Sequence, residues 1–253
     1  KAALLRDLFW RAEEVLSGQT VEAGQNARVA AAQEELRVAL TDWDDDAFAA
    51  HLARGYASYW LTHDVETLAR QARLVRAADE EKKPLTVATR VDEFREVTEV
   101  TVHTADHAGL FSRIAGAMAS VGANIVDARI TTMSDGMALD TLWVQDRNRG
   151  AFEGPDTQAR IETAIERSLS GKLKLKQAIE KRPSRFPKRA RGMTVAPRVL
   201  IDNKASTTHT VVEVNGTDRA GLLHRLTRKL AQLNLQIAAA KISTYGESIV
   251  DVF

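Results

Sequence analysis

The chain contains no cysteine among its 253 residues, which excludes a disulfide framework, a thiol nucleophile and any Cys-ligated zinc or iron–sulfur centre. It has no excess of charge either: 35 Lys and Arg stand against 34 Asp and Glu, a net charge of +1. Whole-chain charge therefore gives no reason to expect a nucleic-acid or membrane partner, and only a local patch could supply one. Long apolar runs are missing as well. The longest uncharged stretch, Ile114 to Val126, falls short of the roughly 20 residues that cross a bilayer. Arg6, Asp7 and Arg11 interrupt the first apolar stretch, so no secretory signal is legible. These absences lead us to expect a cytoplasmic protein. What is present, 44% hydrophobic and 27% charged residues, suffices for a packed core in about one to two domains. The chain opens in a helical pattern without methionine and closes at Ile249 to Phe253 within an alternating apolar run. Both features suggest part of something longer.

Residues 1 to about 82 have helical spacing, with Leu4, Leu5, Leu8 and Phe9 on one stripe and Leu68, Ala72 and Val75 on another. Val29, Leu36 and Leu40 can line a further helix, followed by an acidic turn at Asp42, Asp44, Asp45 and Asp46. Lys82-Lys83-Pro84 should end this part, because the residue before proline is pushed out of the helical region. The period then changes. Glu99 to His103 alternates and is rich in β-branched residues, as a strand requires. Leu110, Ile114, Ala117, Met118 and Val121 form a helical stripe, and two alternating runs flank a Ser134-Asp135-Gly136 turn. Ile161, Ile165 and Leu169 mark another helix. Strand, helix, strand, strand, helix is most of a ferredoxin-like split unit. Residues 172–198 have the composition of a linker: ten Lys or Arg, one acid (Glu180) and three of the five prolines.

An internal repeat organises the second half. At an offset of 112, ten of the 28 positions from 106 to 133 are identical, among them Asp106/Asp218, Ala108/Ala220, Gly109/Gly221, Leu110/Leu222 and Arg113/Arg225. After the hairpin the offset becomes 111, aligning Asp140 with Asp251. The second copy is expected to stop before its last helix and strand. Each copy carries Asp-x-Ala-Gly-Leu where a strand hands over to a helix. Glycine there permits a turn that other residues resist and lets a ligand approach closely. Amides opening a helix favour an anionic group such as a carboxylate. The aspartate can receive a ligand ammonium, or else simply cap the helix, the glycine then serving only packing.

The corners Asp106-His107-Ala108-Gly109-Leu110-Phe111 and Asp218-Arg219-Ala220-Gly221-Leu222-Leu223, each leading to a helix and then to Asn124-Ile125 or Gln236-Ile237, resemble ACT domains. That resemblance implies an α+β fold: a helical N-terminal segment followed by two ferredoxin-like βαββαβ modules, the second truncated. The implied boundaries are 1–83 for the helical segment, 84–171 for the first module, 172–198 for the basic linker and 199–253 for the second module. It also implies amino-acid binding at the corners and at the start of the second strand. The longer strings Ala123 to Ile130, Asp135 to Thr141, Arg198 to Ser206 and His209 to Gly216 are similar to the C-terminal region of bifunctional PII uridylyltransferase/uridylyl-removing enzymes. Arg54-Gly55-Tyr56 and Tyr59-Trp60-Leu61 fit the segment preceding the tandem modules there.

This resemblance implies a glutamine sensor that controls nitrogen assimilation. Its partners would be L-glutamine, the enzyme's own catalytic domains and, through them, the PII signal protein. UMP transfer and removal, with Mg or Mn, would belong to catalytic domains outside this chain; no cofactor and no catalytic residue is expected within it. The implied arrangement groups Asp106 and Gly109 with Asn124 and Ile125, and Asp218 and Gly221 with Gln236 and Ile237. His107 and Arg219 share a variable slot.

Other features have plainer readings. His63-Asp64 is an HD dipeptide with His51 twelve residues earlier, but a metal site needs further ligands on separate helices, and Asp64 is placed to cap a helix. The basic run lacks a stacking platform beyond Phe186, which argues against single-stranded nucleic acid. Two rival functions stand beside the sensor. One is an ACT-type scaffold that binds nothing small; the other is the regulatory end of a guanosine-tetraphosphate synthetase/hydrolase.

Overall fold

In the computed structural model the described residues are 21–146, 148, 150–152, 154–181, 196–205, 209–219, 221–237, 240–245 and 248–253. The helical stripe expected over Leu4 to Phe9 and the centre of the basic segment, 182–195, lie outside them. The chain divides into two units, residues 1–83 with 133–137, and residues 84–132 with 138–253.

Among the described residues of the first unit the apolar stripes become four helices: α1 (Val21–Ala39), α2 (Asp45–Leu52), α3 (Ala57–Thr62) and α4 (Val65–Glu80). Leu36, Leu40, Trp43, Tyr59, Trp60, Leu68, Ala72 and Val75 are buried and form its core. The acidic turn caps α2, with the Ala47 amide donating to the Asp44 carboxylate at 2.7 Å. Lys82, at φ +51°, closes α4 in the left-handed conformation, and the Lys83 amide returns to the Ala78 carbonyl at 2.9 Å. This unit also takes in 133–137, where Arg54 bridges Asp79 at 2.7 Å and Asp135 at 3.3 Å.

The second unit holds two antiparallel four-stranded sheets. The first is built from β1 (Leu85–Asp92), β2 (Val97–Ala105), β3 (Asn124–Arg129) and β4 (Met137–Gln145), in the order β1-β2-β4-β3. Helices α5 (Leu110–Val121) and α6 (Pro155–Leu169) pack against each other and against β3 and β1 respectively. The second sheet uses β5 (Arg198–Asp202), β6 (Val211–Thr217), β7 (Lys241–Tyr245) and β8 (Ser248–Val252) in the order β5-β6-β8-β7. Helix α8 (Leu222–Gln232) follows β6. The expected α+β architecture is present, and the structure adds where the fourth strand comes from. It precedes the βαββ unit instead of following it: β1 runs back along β2 from Leu85↔Thr104 to Asp92↔Val97, and β5 along β6 from Arg198↔Asn215 to Asp202↔Val211. The outer position beside β6 is thus filled by β5 in the second sheet too.

The basic segment is not linker throughout. Leu175 and Ile179 stand one helical turn apart between lysines, and that stripe folds as α7 (Leu175–Glu180), with Ile179 buried. The two modules lie side by side within this unit. α5 packs on α8, β3 lies beside β7, and Ala240 and Ile242 of the second module complete the hydrophobic core around Ile114, Met118, Leu142 and Ile165 of the first. Ser112 and His224, which occupy the same position in the two copies, touch each other. The His224 ring donates from Nδ1 to the Ser112 carbonyl at 2.7 Å, and the Ser112 hydroxyl donates to the His224 carbonyl at 3.2 Å. Contact between equivalent residues marks a local two-fold relation between the modules.

Candidate functional site

Both corners fold as the repeated sequence requires. Gly109 and Gly221 take left-handed conformations at φ +84° and +70° and stand immediately before α5 and α8. At the first corner the Leu110 amide donates to the His107 carbonyl at 3.0 Å, and the Arg113 amide to the Gly109 carbonyl at 3.0 Å. At the second, Leu222 to Arg219 at 2.9 Å and Arg225 to Gly221 at 3.1 Å repeat the pattern. Asp106 does not cap its helix: its carboxylate accepts the Thr132 hydroxyl at 2.6 Å, across from β3.

The surroundings of the corners differ. A cavity of about 420 Å³ opens at the first one. Asp106, His107, Ala108, Gly109, Leu110 and Phe111 line it, together with Ser112, Ile130, Thr132 and Asp140 of the same module. The second module contributes His209, Thr227, Ala231, Leu235, Gln236 and Ile237. The expected grouping is therefore crossed. Gln236 and Ile237, which precede the edge strand β7, meet the corner of the other module through the side-by-side packing. Asn124 and Ile125 do not line this cavity. Ile125 joins the core, and Asn124 Nδ2 is buried without a hydrogen-bond partner. At the second corner a Cβ on Gly221 would stand 2.9 Å from Ile179 Cγ2, so α7 covers it. Asp218, Leu222 and Leu223 are half-buried there, Arg219 is exposed, and Ala220 lies outside the described residues.

Reading the sequence missed Asp140. It is 1% exposed, accepts the Thr131 amide at 3.3 Å through Oδ1, and has no partner at Oδ2. Burial, with the nearby Asp106 carboxylate adding to it, pushes its carboxyl up to about 8 despite the opposing amide bond. Asp251 repeats the arrangement, with Ser243 and Asp218 in the corresponding roles, and is pushed up to about 7, chiefly by burial. The offset that aligned Asp140 with Asp251 was the available signal: an acid kept at a core-facing strand position in both copies.

The HD dipeptide has the simpler role. Asp64 caps α4 by accepting the Thr67 amide at 2.8 Å. His51 packs edge-on to Trp43 and Trp60, each at 5.8 Å between ring centres, and burial first, then Arg54, lowers it to about 4 against the opposing pull of Asp79. Among the described residues no group of three His, Asp or Glu side chains is placed to hold a metal ion, and no helix is long and apolar enough to cross a membrane.

Residues 198–253 match the family model for an ACR9-like, ACT-like domain. Over the whole chain the sequence is 56% identical to the bifunctional uridylyltransferase/uridylyl-removing enzyme of Azospirillum brasilense. It is 46% identical to the enzyme of that name from Rhodospirillum rubrum and 49% identical to that of Gluconobacter oxydans. In each comparison the chain spans 27% of the relative's length. Along its entire length this chain is a sequence relative of the bifunctional uridylyltransferase/uridylyl-removing enzymes, corresponding to about a quarter of such a protein and carrying an ACT-like domain.

Proposed function

We propose that this chain is the glutamine-sensing regulatory region of a bifunctional PII uridylyltransferase/uridylyl-removing enzyme. In this reading glutamine occupies the cavity between the two modules and biases the activity of catalytic domains elsewhere in the longer protein. Those domains carry out UMP transfer to, and removal from, the PII signal protein with Mg or Mn, in the cytoplasm. One observation carries the reading: the first corner and the Gln236-Ile237 segment face one cavity of about 420 Å³ lined by both polar and apolar residues. A free amino acid presents a carboxylate for the amides that open α5 and an ammonium for Asp106. Because both modules wall the cavity, a ligand that binds there gains or loses contacts when the modules shift. That differential affinity is what allosteric coupling requires, typically about 1–3 kcal/mol.

Calorimetric titration of the chain with L-glutamine, using L-glutamate as control, tests this. Selective glutamine binding that Gly109→Val abolishes is the expected result. A folded chain that binds neither amino acid would favour the scaffold reading, in which the seam between the modules holds the protein together and takes up nothing small.

A further inference from the structure

Removing a carboxyl from water costs free energy unless its oxygens find partners, and native structures leave few such groups unsatisfied. Asp140 is an exception at the wall of the cavity. Its side chain is 1% exposed, yet Oδ2 has no partner and the residue lines the same cavity as Asp106 and Gln236. The second module keeps the feature: Asp251 is 2% exposed with Oδ1 bare. Two copies that share only ten of 28 residues around the corner both carry a buried acid there with one oxygen left without a partner.

We propose that Asp140 is a ligand-contacting, specificity-determining residue whose free Oδ2 hydrogen-bonds the side-chain carboxamide of the amino acid held at the Asp106–Gly109 corner. The inference rests on the amino-acid reading of this cavity. With the corner amides and Asp106 taken by the ligand's carboxylate and ammonium, Asp140 Oδ2 is left as the lining atom that is buried without a partner. A carboxamide supplies the missing N–H without bringing charge. A side-chain carboxylate would add a second negative group near Asp106 and Asp140, and an apolar side chain would leave Oδ2 unpaired. With its carboxyl pushed up to about 8, Asp140 keeps its proton at neutral pH, and a carboxylic acid both donates to and accepts from a carboxamide. The other titratable groups lining the cavity are Asp106 and His107 at the corner and His209 from the second module.

Titrating the wild-type chain and the Asp140→Asn and Asp140→Leu variants with L-glutamine, L-glutamate and L-methionine tests the proposal. Asp140→Leu should weaken glutamine by about 10- to 100-fold, the range of one buried hydrogen bond, while weakening methionine less. Asp140→Asn should bring the glutamine-to-glutamate affinity ratio toward one. Glutamine binding by the wild type with unchanged affinities and ratios in both variants overturns this inference alone. No glutamine binding by the wild type overturns the reading of the cavity and this inference with it. Should the variants fail to fold, the wild-type pH series decides. The glutamine-to-methionine ratio, in which the shared ammonium and carboxylate cancel, should rise as pH rises through about 8, because the ionised Oδ2 accepts the carboxamide N–H more strongly and methionine leaves it unpaired. A ratio that stays constant from pH 7 to 9 overturns the proposal.

Discussion

The two corners of the repeat have the same backbone and opposite surroundings. Each has a left-handed glycine and the same two amide-to-carbonyl bonds. Yet a Cβ on Gly109 would find only Ala231 Cβ at an ordinary 3.8 Å, whereas one on Gly221 would press on Ile179 at 2.9 Å. Duplicated sequence reproduces the turn, because the turn is local. What faces it comes from elements outside the repeat, here the short helix α7 and the packing of one module on the other. A repeat therefore reports where a site can form, and the neighbouring elements decide which copy stays open.

The sharpest way to break this comparison is to place valine at each glycine. Any β-branched residue at positive φ is strained, by roughly 1–2 kcal/mol. Gly109→Val should cost about that much. Gly221→Val adds overpacking against Ile179, a further 1–3 kcal/mol, for a total of about 2–5 kcal/mol. Urea denaturation of both variants checks the ordering, and equal losses would mean that α7 does not hold the second corner.

Removing the cover is the complementary change. Ile179→Ala takes a buried side chain out of the contact and should destabilise the protein by about 2 kcal/mol, the low end for a buried Ile→Ala in so short a helix. It should also make Gly221→Ala cheaper by about 1 kcal/mol, since residues in contact couple. Gly109→Ala should show no such coupling. A double-mutant cycle by thermal or urea unfolding reads the difference, and additive effects at Gly221 would sink the idea of a plugged corner.

The sequence made the local half of this picture visible. Periodicity in twos and in 3.6s located α4, β2, α5, the β3–β4 hairpin and α6, and the offset of 112 found both corners. What it did not reveal was tertiary. Leu85 to Asp92 alternates as well as any strand, but nothing in its residues says that it fills the outer position otherwise given to a closing strand. The grouping of Gln236 with Asp106 depends on how the modules pack, and no spacing within one copy encodes that. Leu175 and Ile179 were hidden by the lysines around them, which made the segment look solvated. Asp140 was aligned but unexplained, because burial, and not residue type, makes it unusual.

The buried acids allow the smallest and most exact comparison. Unfolded, each aspartate titrates near the ordinary 3.8; folded, Asp140 is pushed up to about 8 and Asp251 to about 7. The folded state thus holds these protons more tightly, so stability falls as pH rises between the unfolded and folded values. Below about pH 4 neither acid is a burden. Replacing either with asparagine keeps the shape and removes the ionisation. The gain in stability over the wild type should therefore be near zero at pH 4 and grow by up to about 1.4 kcal/mol per pH unit until the folded value is reached. For Asp251→Asn the gain should level off near pH 7; for Asp140→Asn it should go on growing to about pH 8. Urea midpoints measured from pH 4 to pH 9 resolve the two curves. The Asp140→Asn curve should level off at the higher pH of the two. Gains that stop together at one pH would mean that the two modules bury their acids equally.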